Sequence, residues 1–218
     1  MQALTGAFMS RNWLTIPHVT HNDKVDTTAL EAYRKALAEQ AEPVKLSPLV
    51  FIAKAMIKAL AEFPQFNASL DAAAKNIVYK KYFNVGVAID TPAGLLVGVV
   101  KDADKMSLVE LSDAIREMSK KAREKGLSLD EMSGGSMTIS SLGGIGGTSF
   151  TPIINAPEVA ILGVTRSEWE PVRGANDQVE WRHKTPFSLS YDHRVINGAD
   201  AARFIRFMDE QLANPDQL

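Results

Sequence analysis

The chain contains no cysteine among its 218 residues. It therefore has neither a disulfide framework nor a thiol nucleophile, so any reacting thiol must arrive with a substrate. The absence of disulfides fits a reducing compartment, and we expect the cytoplasm of a bacterium or an equivalent compartment.

Long apolar runs and a strong net charge are also lacking. The longest apolar run, residues 49–60, is interrupted by Lys54 and Lys58, so we expect no membrane span. The N-terminus lacks the pattern of a signal peptide. A net charge of −2 favours neither nucleic acid nor an acidic membrane as a general partner.

The remaining composition suits a globular domain. Hydrophobic residues make up 45% of the chain, and its length fits one large domain. We expect a single domain over residues 1–218. We also expect it to be cut from a longer protein, because the sequence begins and ends abruptly.

The pattern of helices and strands predicts the fold class. Hydrophobic periodicity and capping signals predict four long helices, at about residues 27–40, 48–62, 107–126 and 199–212. Strand patterns occur at residues 77–90, 95–100, 136–142, 159–165 and 186–193, with an edge strand at 179–183. Long helices interspersed with paired strands predict the α/β class, as a two-layer sandwich in which helices cover one mixed β-sheet.

The most informative segment is the strand that ends at His193 and leads through Asn197-Gly198 into a helix. An imidazole on such a corner is held by backbone on both sides, and it exchanges a proton near neutral pH. Asp192 and Arg194 flank it, and polar groups at the end of a core strand are costly unless satisfied or used. A general base and a structural histidine are the two interpretations, and this clustering favours the base.

A second candidate is the segment 138–148, in which a strand carries hydroxyls into a loop with four glycines. One interpretation is a hydroxyl that donates to a developing oxyanion, with glycines allowing a substrate to approach closely. A flexible turn is the alternative. A phosphate-binding loop is disfavoured, because no Lys-Ser or Lys-Thr pair follows the glycines and the spacing differs from GxGxxG.

Other candidate residues have weaker signals. His18 and His21 are spaced as a metal pair, but no acidic or cysteine cluster stands beside them, so we expect no metal. Lys80 and Lys81 alternate across a predicted strand, so only one of them can face a given site. For this pair and for Arg34 the alternatives are a solvated face and contact with a phosphate.

The motifs resemble the C-terminal catalytic domain of the dihydrolipoyl acyltransferases, the core components of 2-oxo acid dehydrogenase complexes. The resemblance covers nearly the whole chain. Its strongest pieces are SRNWLTIPHVTH (10–21), KKYFNVGVAIDTPAGLLV (80–97), MTISSLGGIGGTSFTPIINAPEVAILGV (137–164) and SLSYDHRVINGADAARF (188–204). The third piece looks like the acetyl-transferring member from pyruvate dehydrogenase complexes. The histidine motif is shared more widely with chloramphenicol acetyltransferases.

This resemblance implies a chloramphenicol acetyltransferase-like fold and acetyl transfer between a dihydrolipoyl arm and coenzyme A. It implies that His193 acts as general base on the thiol and that Ser140 donates a hydrogen bond to the tetrahedral oxyanion. Asn197 is expected to complete the catalytic set, while Arg11 and Asp192 support the histidine turn. Coenzyme A is then a substrate, and the lipoyl group is carried on a separate domain.

The resemblance also implies partners. Arg34 is the first choice for a coenzyme A phosphate, followed by Lys80 and Lys81. The family forms homotrimers whose active sites combine the histidine and the serine of different chains, and the trimers assemble further, often as a 24-mer cube. The lipoyl domain, the decarboxylase and the dihydrolipoyl dehydrogenase are the other implied partners.

Three departures from the family pattern stand out. Asn197 replaces the common aspartate, so the expected salt bridge from Arg11 becomes a neutral hydrogen bond. Gly98 replaces the usual proline, which would loosen a strand. Both termini look short, and the lipoyl and peripheral subunit-binding domains are absent from this chain. We therefore expect a trimer with impaired or absent cube assembly.

Three alternatives to acetyl transfer stay open. The chain could be a succinyl- or branched-chain-acyl member of the family, an acyltransferase acting on a small acceptor such as an antibiotic, or a catalytically silent scaffold core. The flanking segments disfavour the antibiotic acceptor. Retention of both His193 and Ser140 disfavours the scaffold.

Overall fold

The computed structural model describes residues 2–40, 45–71, 73 and 75–218. The helices are α1 (Gln2–Thr15), α2 (Thr28–Ala38), α3 (Pro48–Glu62), α4 (Leu108–Lys125) and α5 (Gly198–Leu212). The first strands are β1 (His18–Asp26), β2 (Ala68–Leu70), β3 (Ile77–Tyr79), β4 (Val85–Thr91) and β5 (Gly94–Val100). The later strands are β6 (Met137–Ser141), β7 (Ala160–Val164), β8 (Glu168–Arg173) and β9 (Val179–Asp192).

One mixed sheet of seven strands organises the molecule. Its order is β1-β9-β7-β6-β4-β5, and β8 pairs with the first half of β9. The pairs β4·β6 and β6·β7 are parallel, and the other pairs are antiparallel. Strands β2 and β3 form a separate small sheet. The predicted two-layer α/β sandwich with a mixed sheet is confirmed.

Helices α2 to α5 cover one face of the sheet and enclose the main core. Helix α3 buries nine residues, as expected for a helix that is apolar on most sides. The rings of Phe66 and Phe204 stack with centroids 4.2 Å apart, and Phe63 meets Phe66 edge-on. Each fully buried ring contributes on the order of 1.5–3 kcal/mol through removal of apolar surface from water. Phe204 belongs to α5, so this layer anchors the helix that follows His193.

The other face of the sheet carries several hydroxyls beside a small apolar cluster of Ile16, Ile154 and Ile161. In β9, Phe187, Leu189 and Tyr191 lie in the main core, so Ser188 and Ser190 face the opposite side. The Ser190 hydroxyl lies 2.7 Å from that of Thr20 on β1. Ser188 and Ser190 are buried, so this face is covered along β9, whereas Ser140 on β6 is partly exposed.

Helix ends follow the predicted signals. Ser107 caps α4 in a capping box with Glu110, whose carboxylate accepts from the Ser107 backbone N–H. Ser47 precedes Pro48 at the first turn of α3. Within the described ranges, no helix is both long enough and apolar enough to cross a membrane.

Several elements differ from the prediction. The single strand expected at 77–90 is wrong, because β3 and β4 belong to different sheets. The Asn67 side-chain amide donates to the carbonyls of Lys80 and Tyr82, which bends the chain between the two strands. The segments expected as separate strands at 179–183 and 186–193 form one strand, β9.

Four helices and strands were not predicted, namely α1, β1, β2 and β8. Helix α1 lacks a clear apolar stripe, and β1 and β8 are polar strands with few apolar residues. Strands β1 and β8 both owe their pairing to β9, which lies beside them over nine and six residues respectively. Tertiary pairing therefore overrides their weak local signals.

Gly98 lies where helix α4 packs closely on strand β5. A Cβ atom there would lie 2.5 Å from Met118 Sδ and 3.0 Å from Leu127 Cδ1. Helix α4 thus approaches β5 closely at this point, and the missing side chain makes room for Met118. The glycine is matched to a bulky neighbour in this chain.

We predict that Gly98→Ala lowers the free energy of unfolding by about 1–3 kcal/mol, because the added methyl overpacks the contact with Met118. Adding Met118→Ala should recover part of that loss. Urea unfolding of the single and double variants measures both effects. Gly6→Ala is the control, since nothing lies within 4 Å of a Cβ at Gly6. Equal stability of Gly98→Ala and the parent would contradict the prediction.

Candidate active site

His193 lies on the corner between β9 and α5. The Asp192 N–H donates to the Val159 carbonyl at 2.8 Å, and the His193 N–H donates to the Pro17 carbonyl at 3.1 Å. The backbone of Asp192 and of His193 is thus held by hydrogen bonds to two other segments of the chain. The side chain is exposed, and its ring centroid lies 5.9 Å from that of Tyr191. Among the described residues, no hydrogen bond engages the imidazole, so both nitrogens can meet an incoming group.

The charges that flank His193 satisfy one another. Arg194 Nε lies 2.9 Å from Asp192 Oδ1, and Arg194 Nη2 lies 2.6 Å from Asp192 Oδ2. This hydrogen-bonded carboxylate raises the pKa of Arg194 further. The Asp192 side chain is 3% exposed, so its pairing with arginine prevents an unpaired buried charge. The fork also holds the two sides of the histidine turn together.

Asn197 acts as the N-cap of α5. Its Oδ1 accepts from the Asp200 backbone N–H at 2.9 Å. The expected hydrogen bond from Arg11 is not formed in the part of the chain that the structure describes. The Arg11 guanidinium lies 5.3 Å from the centroid of the Phe8 ring instead. Arg11 does line a cavity of about 270 Å³ together with Asp192 and Arg194, which places it beside the histidine turn.

Ser140 lies near the end of β6, on the polar face of the sheet. Its neighbours Met137 and Ile139 point into the main core, so the alternation of the strand turns Ser140 to the other side. It pairs with Gly163, above which the Phe150 ring packs. The Phe150 N–H in turn donates to Ser188 Oγ at 3.3 Å. Ser140 remains partly exposed at the rim of this contact.

The register places Ser140 and His193 at opposite ends of the sheet. Ser140 pairs with Gly163, and Gly163 pairs with Ser188, which precedes His193 by five positions. Five residues at about 3.4 Å each, and two strand spacings sideways, separate the two backbones by roughly 20 Å. Side chains cannot bridge that distance. The histidine and the serine of one chain therefore cannot serve the same reaction.

The glycine-rich loop folds tightly against the sheet. The Leu142 N–H donates to the Val164 carbonyl, and the Ile145 N–H donates to the Leu142 carbonyl. Gly146 and Gly147 have φ angles of 141° and 92°, which favour glycine at both positions. The loop is therefore an ordered turn rather than a loose one, and it presents Ile145 to solvent.

The three candidate cations occupy different environments. Arg34 forms an ion pair with Glu31 at 3.1 Å and donates to the Leu46 carbonyl. Lys80 donates to the Gly135 carbonyl at 2.8 Å, and burial lowers its pKa. Lys81 is exposed. The structure brings none of the three together with His193 in hydrogen-bonded contact within the described ranges.

His18 has a structural role. Its Nδ1 lies 2.8 Å from the Ile16 carbonyl, and its Nε2 accepts from the Ile154 N–H at 3.0 Å. Nδ1 therefore carries the proton, and the ring joins the start of β1 to the segment before β7. His18 and His21 belong to no group of three potential metal ligands in the ranges that the structure covers.

Glu158 is a buried acid that was not singled out from the sequence. Its Oε1 accepts from the Thr138 hydroxyl at 2.9 Å and from the Asn155 amide at 3.2 Å. Its Oε2 has no hydrogen-bond partner among the described residues. Burial raises its pKa to about 7, although these hydrogen bonds and the charge of Lys80 oppose the rise. The only sequence signal was a glutamate between two strongly apolar segments.

Glu158 also lines two cavities. It lines the cavity of about 270 Å³ beside Asp192 and Arg194. It also lines a larger cavity of about 550 Å³ whose walls include Phe8 and Leu95. The acid thus lies between the neighbourhood of the histidine turn and a second cavity lined by several apolar residues.

The chain is similar to known proteins over its whole length. A family model described as 2-oxoacid dehydrogenases acyltransferase (catalytic domain) matches residues 1–218. The dihydrolipoyllysine-residue acetyltransferase component of the pyruvate dehydrogenase complex of Haemophilus influenzae is 54% identical over 215 residues. That match covers 97% of this chain but 38% of the relative, so the chain spans well under half of the relative's length.

Solved structures show the same likeness. Azotobacter vinelandii dihydrolipoamide acetyltransferase, in a study of the role of a serine, a histidine and an asparagine in its catalytic mechanism, has a TM-score of 0.93. It is 47% identical, with 97% of this chain and 88% of that chain covered. The cubic core of the pyruvate dehydrogenase multienzyme complex has a TM-score of 0.92 at 47% identity, covering 98% and 88%. A chloramphenicol acetyltransferase at 16% identity and a TM-score of 0.63 shows the fold alone.

We predict that Asn197→Ala lowers the free energy of unfolding by about 1 kcal/mol, because α5 loses its side-chain cap. Asn197→Asp should retain the cap and add a charge that the helix N-terminus favours. Urea unfolding at neutral pH compares the two variants with the parent. An equal loss in both variants would show that the cap is not what Asn197 contributes.

We predict that Glu158→Gln weakens the pH dependence of stability. Because the pKa of Glu158 is raised from 4.5 to about 7 on folding, the folded state binds the proton more tightly. The unfolding free energy of the parent should therefore fall as pH rises from about 4.5 to about 7, by at most about 3 kcal/mol. The neutral glutamine has no such fall.

Urea unfolding at intervals from pH 4.5 to 8 measures this effect as the difference between variant and parent. The difference should shift in favour of Glu158→Gln with rising pH. Glu124→Gln, an exposed change on α4, is the matched control and should give a curve parallel to the parent's. A parallel curve for Glu158→Gln as well would contradict the prediction.

Proposed function

The chain belongs to the catalytic-domain family of the 2-oxoacid dehydrogenase acyltransferases, and on that premise we propose that it transfers an acetyl group between a dihydrolipoyl arm and coenzyme A. The observation that carries the proposal is the His193 corner. Its imidazole is exposed and free of hydrogen bonds from described residues, while its charged neighbours pair with each other. Such a ring is anchored through its backbone and is accessible to an incoming thiol.

His193 acts as general base in the proposed reaction. It removes the proton from the thiol of coenzyme A, or of dihydrolipoamide in the reverse direction. The thiolate attacks the thioester carbonyl of the other substrate, and the carbonyl oxygen becomes an oxyanion. When this intermediate collapses, the departing thiolate takes the proton back from His193. General base catalysis of this kind contributes about 10²–10⁴-fold.

Ser140 stabilises the oxyanion by donating its hydroxyl hydrogen bond. A preorganised donor of this kind is worth about 2.7–4 kcal/mol of barrier. The roughly 20 Å between the backbones of Ser140 and His193 in one chain requires that the two come from different chains. This separation supports a homotrimer with active sites between subunits, and the likeness to a cubic core supports self-association.

The choice of Ser140 over Ser141 rests on strand geometry. In the Azotobacter vinelandii protein the histidine precedes the asparagine by four positions, as His193 precedes Asn197 here. The serine there precedes the histidine by 52 positions, a count that reaches Ser141 here if the intervening segments are equally long and Ser140 if this chain has one residue more. Ser140 shares the polar face with Ser188, and Ser141 pairs with Val164, a residue of the main core. We therefore assign the oxyanion hydroxyl to Ser140.

The acyl group and the partners follow from the relatives. Relatives 54% and 51% identical to this chain are the acetyltransferase components of pyruvate dehydrogenase complexes, which favours acetyl over succinyl or branched-chain groups. In the proposal the lipoyl group arrives on a separate domain, and the decarboxylase and dihydrolipoyl dehydrogenase act on that group elsewhere. Of the three candidate cations, Lys81 is exposed and has no ion pair among the described residues, whereas Arg34 would first have to leave Glu31 to bind a coenzyme A phosphate.

We predict that the parent chain forms acetyl-dihydrolipoamide from acetyl-coenzyme A and free dihydrolipoamide. His193→Ala should lower kcat by about 10²–10⁴-fold, because the thiol loses its base. Ser140→Ala should lower kcat by about 10²–10³-fold. Ser141→Ala is the matched control and should retain activity.

Each failure in this assay has a distinct meaning. Inactivity of the parent would favour the silent scaffold. Equal activity of the parent and His193→Ala would exclude the proposed base. Faster transfer from a succinyl than from an acetyl donor would overturn the acyl assignment.

We predict that His193→Ala and Ser140→Ala chains complement each other when they are mixed, dissociated and reassembled. A mixed trimer contains an interface that joins an intact histidine to an intact serine, so activity should return to a fraction of the parent value. Size-exclusion chromatography with light scattering confirms that the mixture is trimeric or larger. Continued inactivity of mixed assemblies would contradict a site shared between chains.

A further inference from the structure

The segment 154–159 connects the two halves of the proposed site within one chain. It leads into β7, which lies between the serine strand β6 and the histidine strand β9. Glu158 is its one ionisable side chain. The proposed mechanism gives this buried carboxyl no role.

The first connection runs to the serine strand. The Thr138 hydroxyl donates to Glu158 Oε1, and Thr138 lies on β6 two positions before Ser140. Both residues point to the polar face, so the contact holds the same side of the strand that carries the oxyanion donor. Thr138 itself is fully buried, which leaves its hydroxyl no access to water as an alternative partner.

The second connection runs to the histidine turn. The Val159 carbonyl, directly after Glu158, accepts from the Asp192 N–H at 2.8 Å. Ile154 is held by the Nε2 of His18, and Pro17 accepts the His193 N–H. The backbone next to His193 is therefore supported by the segment that Glu158 fixes.

The space for this carboxyl is made by two glycines. A Cβ at Gly135 would overlap Glu158 Oε1, and a Cβ at Gly86 would overlap the Thr138 hydroxyl. Gly135 also offers its carbonyl to Lys80 at 2.8 Å, which places a cation beside the carboxyl. The buried contact between Glu158 and Thr138 is thus accommodated by the strands around it.

We propose that Glu158 is a positioning residue that sets the serine strand and the histidine turn relative to one another. The inference rests on the proposed acetyl transfer. Because Ser140 and His193 of one chain serve different active sites, each Glu158 supports the hydroxyl of one site and the imidazole of another. Its loss should misplace reacting groups and leave substrate binding largely intact.

Steady-state kinetics at saturating concentrations of both substrates test this role. Glu158→Ala and Thr138→Val should each lower kcat on the order of 10–100-fold, while both KM values change by less than about threefold. The conservative variant Glu158→Gln keeps the oxygen acceptor, and Thr138→Ser keeps the hydroxyl donor. Each should therefore retain most of the kcat of the parent. The exposed change Glu124→Gln is the matched control and should leave kcat unchanged. A rise in KM with unchanged kcat would overturn the proposal. So would a failure of the conservative variants to recover kcat.

A double variant distinguishes positioning from general destabilisation. If Thr138 and Glu158 act through one contact, Thr138→Val with Glu158→Ala should lower kcat no further than the worse single variant. Independent, multiplying losses would overturn the proposal. Should Glu158→Ala fail to assemble, the comparison of Thr138→Val with Thr138→Ser decides, and equal kcat values for these two would refute the contact's role.

Mixed assemblies separate the two halves of the role. In a mixture of His193→Ala and Ser140→Ala chains, the working site takes its histidine from the Ser140→Ala chain and its serine from the other. Adding Glu158→Ala to either chain alone should reduce the recovered activity. If Glu158→Ala reduces activity only on the serine-supplying chain, the role at the histidine turn is overturned. If it reduces activity on neither chain, the roles at the serine strand and at the histidine turn are both overturned.

Hydrogen exchange gives a readout that does not need activity. In Thr138→Val, the backbone amides of residues 140–142 and 193–196 should both exchange faster than in the parent. Unchanged exchange in either segment would contradict the connection. If the parent chain were inactive, the proposed function would fail, while this measurement would still test whether Glu158 couples the two segments.

Discussion

The structure depends on the pairing of β9, whose 14 residues lie beside three other strands. Its first half forms a hairpin with β8, and its second half lies between β1 and β7. Phe187, Leu189 and Tyr191 anchor it in the main core. A slip of one residue would turn these side chains out and bring Ser188 and Ser190 in, so the register is strongly specified. That register determines where His193 emerges and how far it lies from Ser140.

Much of the fold could be predicted where buried elements have a clear pattern of apolar residues in the sequence. Helix α3 is apolar on most sides, α4 has a capping box, and β6 and β7 are short apolar strands, so local sequence and final structure agree. Strands β1 and β8 could not be predicted, because their sequences are polar and they form strands only through hydrogen bonding to β9. The break between β3 and β4 depends on Asn67, a residue distant in sequence whose amide binds the chain at Lys80 and Tyr82.

The candidate site shows the same division. The histidine corner was visible in the sequence because a strand, a tight turn and a helix follow one another there. The cap made by Asn197 and the fork between Asp192 and Arg194 are local, and both involve residues within three positions. Glu158 was not found, because its significance comes from Thr138, Gly135 and Lys80, which converge only in the folded sheet. The position of Arg11 over Phe8 likewise reflects packing along α1 rather than the motif around His193.

The roughly 20 Å between Ser140 and His193 in one chain has a consequence for a cell that makes this protein. On the proposed arrangement, a newly synthesised and unassembled chain carries a base without its oxyanion donor and a donor without its base. Such a chain cannot consume thioester substrates before it assembles with other chains. Catalytic competence then appears only with quaternary structure, so dilution should silence the enzyme as effectively as a mutation.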